Sequence, residues 1–233
     1  MSSLRPLSRL AVATARLGAR VVRRLSWSLP LCLGATVFFA RLASEMREGE
    51  LDVFDEPIQR WVVGMRGAPD SLMMACTQAG GPLPMMLLAL AVLAILVIYR
   101  QFRQALFLAL AAGGSLLLNV LLKERFRRAR PGETWIYILS TPALPSFPSG
   151  HTMVSTGVIA SLLVLLWTRG VPRSVRITAL VSGAAFAIGV GVSRVYFGVH
   201  YPSDVLGAWL AATAWVSAVT GWMYPRLLPG TKP

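Results

Sequence analysis

The apolar residues of this chain are gathered into blocks long enough to cross a bilayer, and that limits its fold more than any other feature. Six blocks fall at about 27–43, 82–99, 104–122, 150–167, 176–192 and 205–223, each near the roughly 20 residues a spanning helix needs. They are continuous apolar runs, not short alternating ones, so the expected fold class is all-α: a polytopic membrane protein with six transmembrane helices in a bundle. Composition agrees, with 55% of residues hydrophobic and 14% charged, against roughly a quarter charged in soluble domains.

The net charge of +13 would suit a nucleic-acid partner, but its placement argues against one. Arg5, Arg9, Arg16, Arg20, Arg23 and Arg24 precede the first span, Arg100 and Arg103 occupy one short loop, and Arg169, Arg173 and Arg176 another. Such clusters mark cytoplasmic segments. All ten acidic residues, Glu45 to Asp204, fall in segments 44–81, 123–149 and 193–204, on the opposite side. The expectation is a plasma-membrane or inner-membrane protein with cytoplasmic termini and no nucleic-acid partner. Residues 1–26 read as an amphipathic cytoplasmic arm, 27–225 as one six-span domain and 226–233 as a cytoplasmic tail. On the arm Arg5, Arg9, Arg16, Arg20 and Arg23 lie opposite Leu7, Leu10, Leu17, Val21 and Leu25, which suits a topology anchor at the lipid surface. An arginine-rich, acid-free start is also the pattern of a mitochondrial presequence. Leu29 to Ala40 would suit a secretory apolar core, but no small-residue cleavage site follows, so it reads as a retained span. Cys32 and Cys76 read as packing residues, and no cysteine or histidine cluster points to a metal.

One group breaks the charge rule: Lys123, Arg125, Arg127, Arg128 and Arg130 sit on the outer side. Snorkelling accounts for one or two of them, and an anionic ligand for the rest. If the third span continues as a helix, Lys123 and Arg130 share a face, and Pro131 stops it. Next comes Pro148-Ser149-Gly150-His151, immediately before the fourth span. Ser149 is a favoured N-cap, the helix N-terminus offers free N–H groups to phosphate oxygens, and Gly150 permits close approach. An ordinary capped helix start would look the same but for His151, which suits a general acid. Finally, Ser193-Arg194 is followed by His200, and Pro202 opens the sixth span with Asp204 in its first turn. Asp204 can then turn back to one ring nitrogen of His200 and leave the other free to attack. As bland readings, Asp204 would be a helix-dipole partner and Arg194 a snorkelling cation. The chain has only two histidines, and both sit at the outer mouth of a span, which favours catalysis.

Together these stretches resemble the signature of the type 2 phosphatidic acid phosphatase family, which shares its active-site pattern with vanadium haloperoxidases. The family pattern is lysine, six residues, Arg-Pro; then Pro-Ser-Gly-His; then Ser-Arg, five residues, His, three residues, Asp. All three segments are present in order and at full spacing between Lys123 and Asp204. The resemblance implies that Lys123, Arg130 and Arg194 hold the phosphate oxygens with Ser149 and the Gly150 backbone. His200 would attack phosphorus, Asp204 would orient it, and His151 would protonate the leaving group, with no metal and no cofactor. Arg125, Arg127 and Arg128 fall at variable positions and are assigned to headgroup or rim contacts. The implied activity is hydrolysis of a lipid phosphate or diphosphate at the outer leaflet, with phosphatidic acid, phosphatidylglycerophosphate and undecaprenyl diphosphate as candidates. A lipid phosphotransferase is the alternative within this chemistry. A membrane transporter is the alternative of another class, against which the nearly uncharged span interiors argue.

Overall fold

The protein is described by a computed structural model over residues 5–139 and 144–227, with 5–26 and 225–226 described by backbone alone. Nine α-helices follow in order among these residues. They are α1 (Arg5–Glu48), α2 (Asp52–Val63), α3 (Asp70–Ala79), α4 (Pro82–Ile98), α5 (Phe102–Leu108), α6 (Gly114–Phe126), α7 (Gly150–Thr168), α8 (Arg173–Tyr196) and α9 (Pro202–Leu227). The all-helical expectation holds, and five helical stretches are long and apolar enough to cross a membrane: Trp27–Glu48, Phe102–Phe126, Gly150–Thr168, Arg173–Tyr196 and Pro202–Tyr224.

The span expected at 82–99 coincides with α4; it becomes a sixth candidate when taken together with α3, from which it is bent by 48°. One difference from the sequence reading is that α3, expected in an outer segment, packs against α8. The break follows from Gly80-Gly81-Pro82: Pro82 lacks an N–H and forces its predecessor out of helical geometry, and Gly81 is extended at φ −61, ψ 151. A second difference is that the arm and the first span form one helix, α1, since no glycine interrupts it between Arg20 and Pro30. The two faces read for the arm rest on side chains outside those described.

Within the bundle, α5 and α6 are joined by a π-helical turn, Ala109–Gly113. A π turn shifts the hydrogen-bond ladder by one residue, and here the indole of Trp215 on α9 donates to the Leu110 carbonyl at 3.0 Å. Small residues let the helices close up, as association in lipid requires. A Cβ on Gly114 would enter the Trp215 ring, and one on Gly157 would strike Ser115. Phe107, Ala111, Val154 and Val158 have no exposed surface at this centre. Leu33, Val37, Phe38, Leu87, Val181 and Ile188 are exposed on the outside of the bundle, where a bilayer supplies their solvent.

One end carries the basic loops. Arg169 of the α7–α8 loop bonds to Gln101 of the α4–α5 loop, and Trp27, Trp167, Arg176 and Tyr224 line a groove there of about 550 Å³. At the other end the segment 127–139 is clamped onto α8 and α3. Arg66 donates to the carbonyls of Tyr196 (2.9 Å) and Trp135 (2.5 Å), and the Tyr137 hydroxyl donates to Asp70 at 2.7 Å. Gly198 closes this clamp, with a φ of +69° and the Trp135 carbonyl lying where a Cβ would be. Gly198→Ala therefore meets both a left-handed backbone and a backbone clash. It is expected to cost about 2 kcal/mol, which for a chain of this size lowers the Tm in detergent by roughly 4–8 °C, whereas Gly170→Ala, in open space, leaves it unchanged.

Candidate active site

The residues singled out from sequence converge at the clamped end, where α6, α7, α8 and α9 begin or finish. Pro202 is the first residue of α9 and Asp204 lies in its first turn, so the carboxylate points back along the chain toward His200. Asp204 Oδ2 lies 3.2 Å from His200 Nδ1 and accepts the Tyr201 N–H at 3.0 Å and the Ser146 hydroxyl. The other ring nitrogen, Nε2, lies 3.3 Å from Arg130 Nη1. His200 is 2% exposed. Burial, the largest influence, pushes its imidazolium pKa down to about 3; Asp204 pulls it up, and Arg130 and Arg194 push it down again. The ring is thus neutral at neutral pH, with Nδ1 committed to Asp204 and Nε2 holding its lone pair.

Three cations gather at this end, with Arg130 against Nε2 itself. Arg130 is fixed by its own hydrogen bonds to the Leu144 carbonyl at 2.9 Å and the Val199 carbonyl at 2.7 Å. Burial and then Asp204 set its pKa, with a net lowering from the ordinary guanidinium value. Lys123 Nζ donates to the carbonyls of Pro145 and Ser146. Arg194 donates through Nη1 to Thr77 Oγ1 on α3, while its Nε is buried and has no hydrogen-bond partner. An orphaned, buried guanidinium N–H is costly unless an acceptor occupies the space it faces. His151, in the first turn of α7, lies within electrostatic reach of Arg194, His200, Arg130 and Lys123.

Ser149 is the N-cap of α7, but its side chain makes no capping bond. Its backbone N–H donates to the Asp204 carbonyl at 3.1 Å, and its hydroxyl accepts from Thr152 at 3.0 Å. The first of these contacts ties the start of α7 to the start of α9. A Cβ on Gly150 would meet Asn119 Oδ1 at 3.3 Å and Lys123 Cε at 3.8 Å, so glycine also lets α7 sit against α6.

Two expectations are corrected. Lys123 and Arg130 do not share a helical face: α6 ends at Phe126, Arg127 takes a left-handed φ of 48°, and Arg130 reaches the site from irregular chain. The helix stops well short of Pro131 because the segment is drawn to the loop, with the Ser146 N–H on the Arg128 carbonyl at 2.8 Å. Arg128 is not a rim contact. Its side chain is 14% exposed and bridges two buried carboxylates, Asp55 and Asp204, both at 2.8 Å. Burial opposes its charge, but Asp204 and Asp55 outweigh burial and raise its pKa. By contrast, Arg127 pairs with Glu124 at the surface.

Sequence reasoning missed Asp55, Thr77, Ser146 and Ser203. Ser203 donates to Asp55 through its backbone N–H at 2.7 Å and its hydroxyl at 2.6 Å. Only Ser203, lying between His200 and Asp204, carried a positional hint. Among the described residues no group of histidine, cysteine, aspartate and glutamate could hold a metal ion.

Comparison with known proteins identifies the family. The phosphatidylglycerophosphatase B of Bacillus subtilis is 30% identical over 175 residues, which cover 73% of this chain and 84% of that one. The lipid A 1-phosphatase of Rhizobium etli is 38% identical over 117 residues, covering 47% of this chain and 46% of the relative. This chain therefore spans about half the length of the latter. The crystal structure of a transmembrane PAP2-type phosphatidylglycerolphosphate phosphatase from Bacillus subtilis superposes with a TM-score of 0.73 at 27% identity, covering 82% of this chain and 94% of that one. The profile of the PAP2 superfamily matches residues 104–227, more than half of the sequence and all three motifs, and the chain belongs to that superfamily.

Proposed function

We propose that this protein is a multi-pass membrane lipid phosphatase that works through a phosphohistidine on His200. The observation that carries the reading is the cradle itself: Arg130 lies against the neutral Nε2 of a histidine whose other nitrogen is held by Asp204, and Lys123 and Arg194, with its unpartnered Nε, gather with them around His151. A phosphoryl group is the anion that fits it, with non-bridging oxygens for the three cations and phosphorus facing the nitrogen.

In the first step the Nε2 lone pair attacks phosphorus, the bond to the lipid oxygen breaks, and His151 delivers a proton to that departing oxygen. In the second, His151 takes a proton from water, whose oxygen attacks the phosphohistidine. The P–N bond breaks, inorganic phosphate leaves and the neutral imidazole returns. Ser149 and the Gly150 backbone at the start of α7 supply further donors to the phosphate. The charge that builds in both transition states is met by fixed cations. Relatives are named for phosphatidylglycerophosphate, lipid A and undecaprenyl diphosphate, so the substrate class is an amphiphile whose phosphate or diphosphate lies at the membrane surface. Phosphatidic acid and phosphatidylglycerophosphate are the first to test, with undecaprenyl diphosphate beside them.

Purified protein in detergent should release inorganic phosphate from at least one of these lipids in the presence of EDTA. Orthovanadate should inhibit, because it can adopt the five-coordinate shape of the transferring phosphorus. His200→Ala should reduce turnover by at least about 10⁴-fold while the protein stays folded. Near-normal turnover in that variant, or complete loss on chelation with recovery on adding Mg²⁺, would contradict the reading.

The orientation follows from charge: the basic loops at the end remote from the site belong in the cytoplasm, which directs the site to the periplasmic or extracytoplasmic leaflet. With Cys32 and Cys76 replaced, a cysteine at the exposed Glu133 should react with a membrane-impermeant thiol reagent on intact cells, and one at the exposed Ser174 should not. The reverse pattern would place the chemistry on the cytoplasmic leaflet.

A further inference from the structure

The two carboxylates bridged by Arg128 have different surroundings. Asp204 touches the nucleophile, while Asp55 sits on α2, in a segment outside all three motifs. We propose that Arg128, anchored by Asp55, is a positioning residue that fixes the Asp204 carboxylate and through it aims Nε2 of His200 at phosphorus. The proposal rests on the phosphohistidine reading and deepens it by making α2 part of the catalytic apparatus.

The geometry divides the duties of the two Asp204 oxygens. Oδ2 serves His200, Tyr201 and Ser146, whereas Oδ1 accepts from Arg128 Nη1 at 2.8 Å. The terminal torsion of an aspartate is soft. Holding Oδ1 therefore sets the plane in which Oδ2 meets the His200 N–H. Arg128 is itself immobilised: Nη1 also donates to Ser203 Oγ at 2.7 Å, Nη2 to Asp55 Oδ2 at 2.8 Å, and its guanidinium lies 4.2 Å from the centre of the Tyr201 ring. Asp55 is 1% exposed and accepts from Arg128 and from both donors of Ser203. None of these hydrogen bonds reaches Lys123, Arg130 or Arg194. Arg128 is thus placed to control aim without taking part in phosphate binding. A planar guanidinium can bridge two carboxylates in a fixed plane, and an ammonium cannot.

The test uses the full chain in detergent, with a short-chain phosphatidic acid and orthovanadate as probes, and rates counted per vanadate-binding site so that unfolded protein does not enter. Arg128→Gln should lower kcat roughly 30-fold while KM and the vanadate Ki stay within about threefold of wild type. Arg128→Lys should recover part of the loss and remain roughly tenfold slow. Arg128→Gln leaves two buried carboxylates without their cation and risks misfolding, so Arg128→Gln with Asp55→Asn removes the pair as a unit. The double variant should bind vanadate at wild-type stoichiometry and stay roughly 30-fold slow. Wild-type kcat per site in the double variant, or vanadate affinity falling in step with kcat, would overturn the proposal. A wild-type protein without phosphatase activity, or an active His200→Ala, would instead strike the reading of the site as a whole.

Discussion

Everything at the catalytic end is arranged around one buried charge, the Asp204 carboxylate. With no exposed surface, it cannot be hydrated, and a carboxylate in that position survives as an anion only if donors and a cation are built around it. Those partners come from separate parts of the chain: His200 and the Tyr201 N–H from the α8–α9 turn, Ser146 from the loop before α7, and Arg128 from the segment after α6. Satisfying this one group therefore draws together the first and third motif segments and the loop just ahead of the second. Arg128 then extends the assembly to α2 through Asp55. Removing one partner of such a buried pair typically costs about 3–5 kcal/mol, so the network that holds His200 also closes the fold at that end.

The membrane explains why the chemistry sits where it does. Helix interiors in lipid must be nearly uncharged, but helix ends at the interface can carry ions. Lys123 lies in the last turn of α6, His151 in the first turn of α7, Arg194 in the last turn of α8 and Asp204 in the first turn of α9. Four spans thus deliver reactive groups to one interface without placing any at the bilayer centre.

Much of this was legible in the amino-acid sequence because the signals were local or periodic. Apolar block length revealed the spans, Pro202 marked the start of α9, and the four-residue step from His200 to Asp204 predicted their contact. What failed depended on distant chain. The bend between α3 and α4 was written in Gly80-Gly81-Pro82, yet nothing local to α3, which contains Asp70, Thr77 and Gln78, showed that it packs against α8. The α6 terminus was misplaced because Arg127 takes its left-handed turn under the pull of loop contacts that no local propensity encodes. Arg128 looked interchangeable with Arg125 and Arg127, since only the fold shows which of three neighbouring arginines faces Asp55, 73 residues away in sequence.

The central claim is that the phosphoryl group passes through the ring nitrogen of His200. The direct measurement is rapid quenching of the enzyme in alkali during turnover of a radiolabelled lipid phosphate, followed by phosphopeptide mapping by mass spectrometry. Phosphoramidates on histidine survive alkali and are lost in acid, so the account predicts an alkali-stable, acid-labile phosphate on the peptide bearing His200, formed and discharged at rates compatible with kcat. A wild-type enzyme that turns over without any such species, or one that carries the label on another residue, would contradict it.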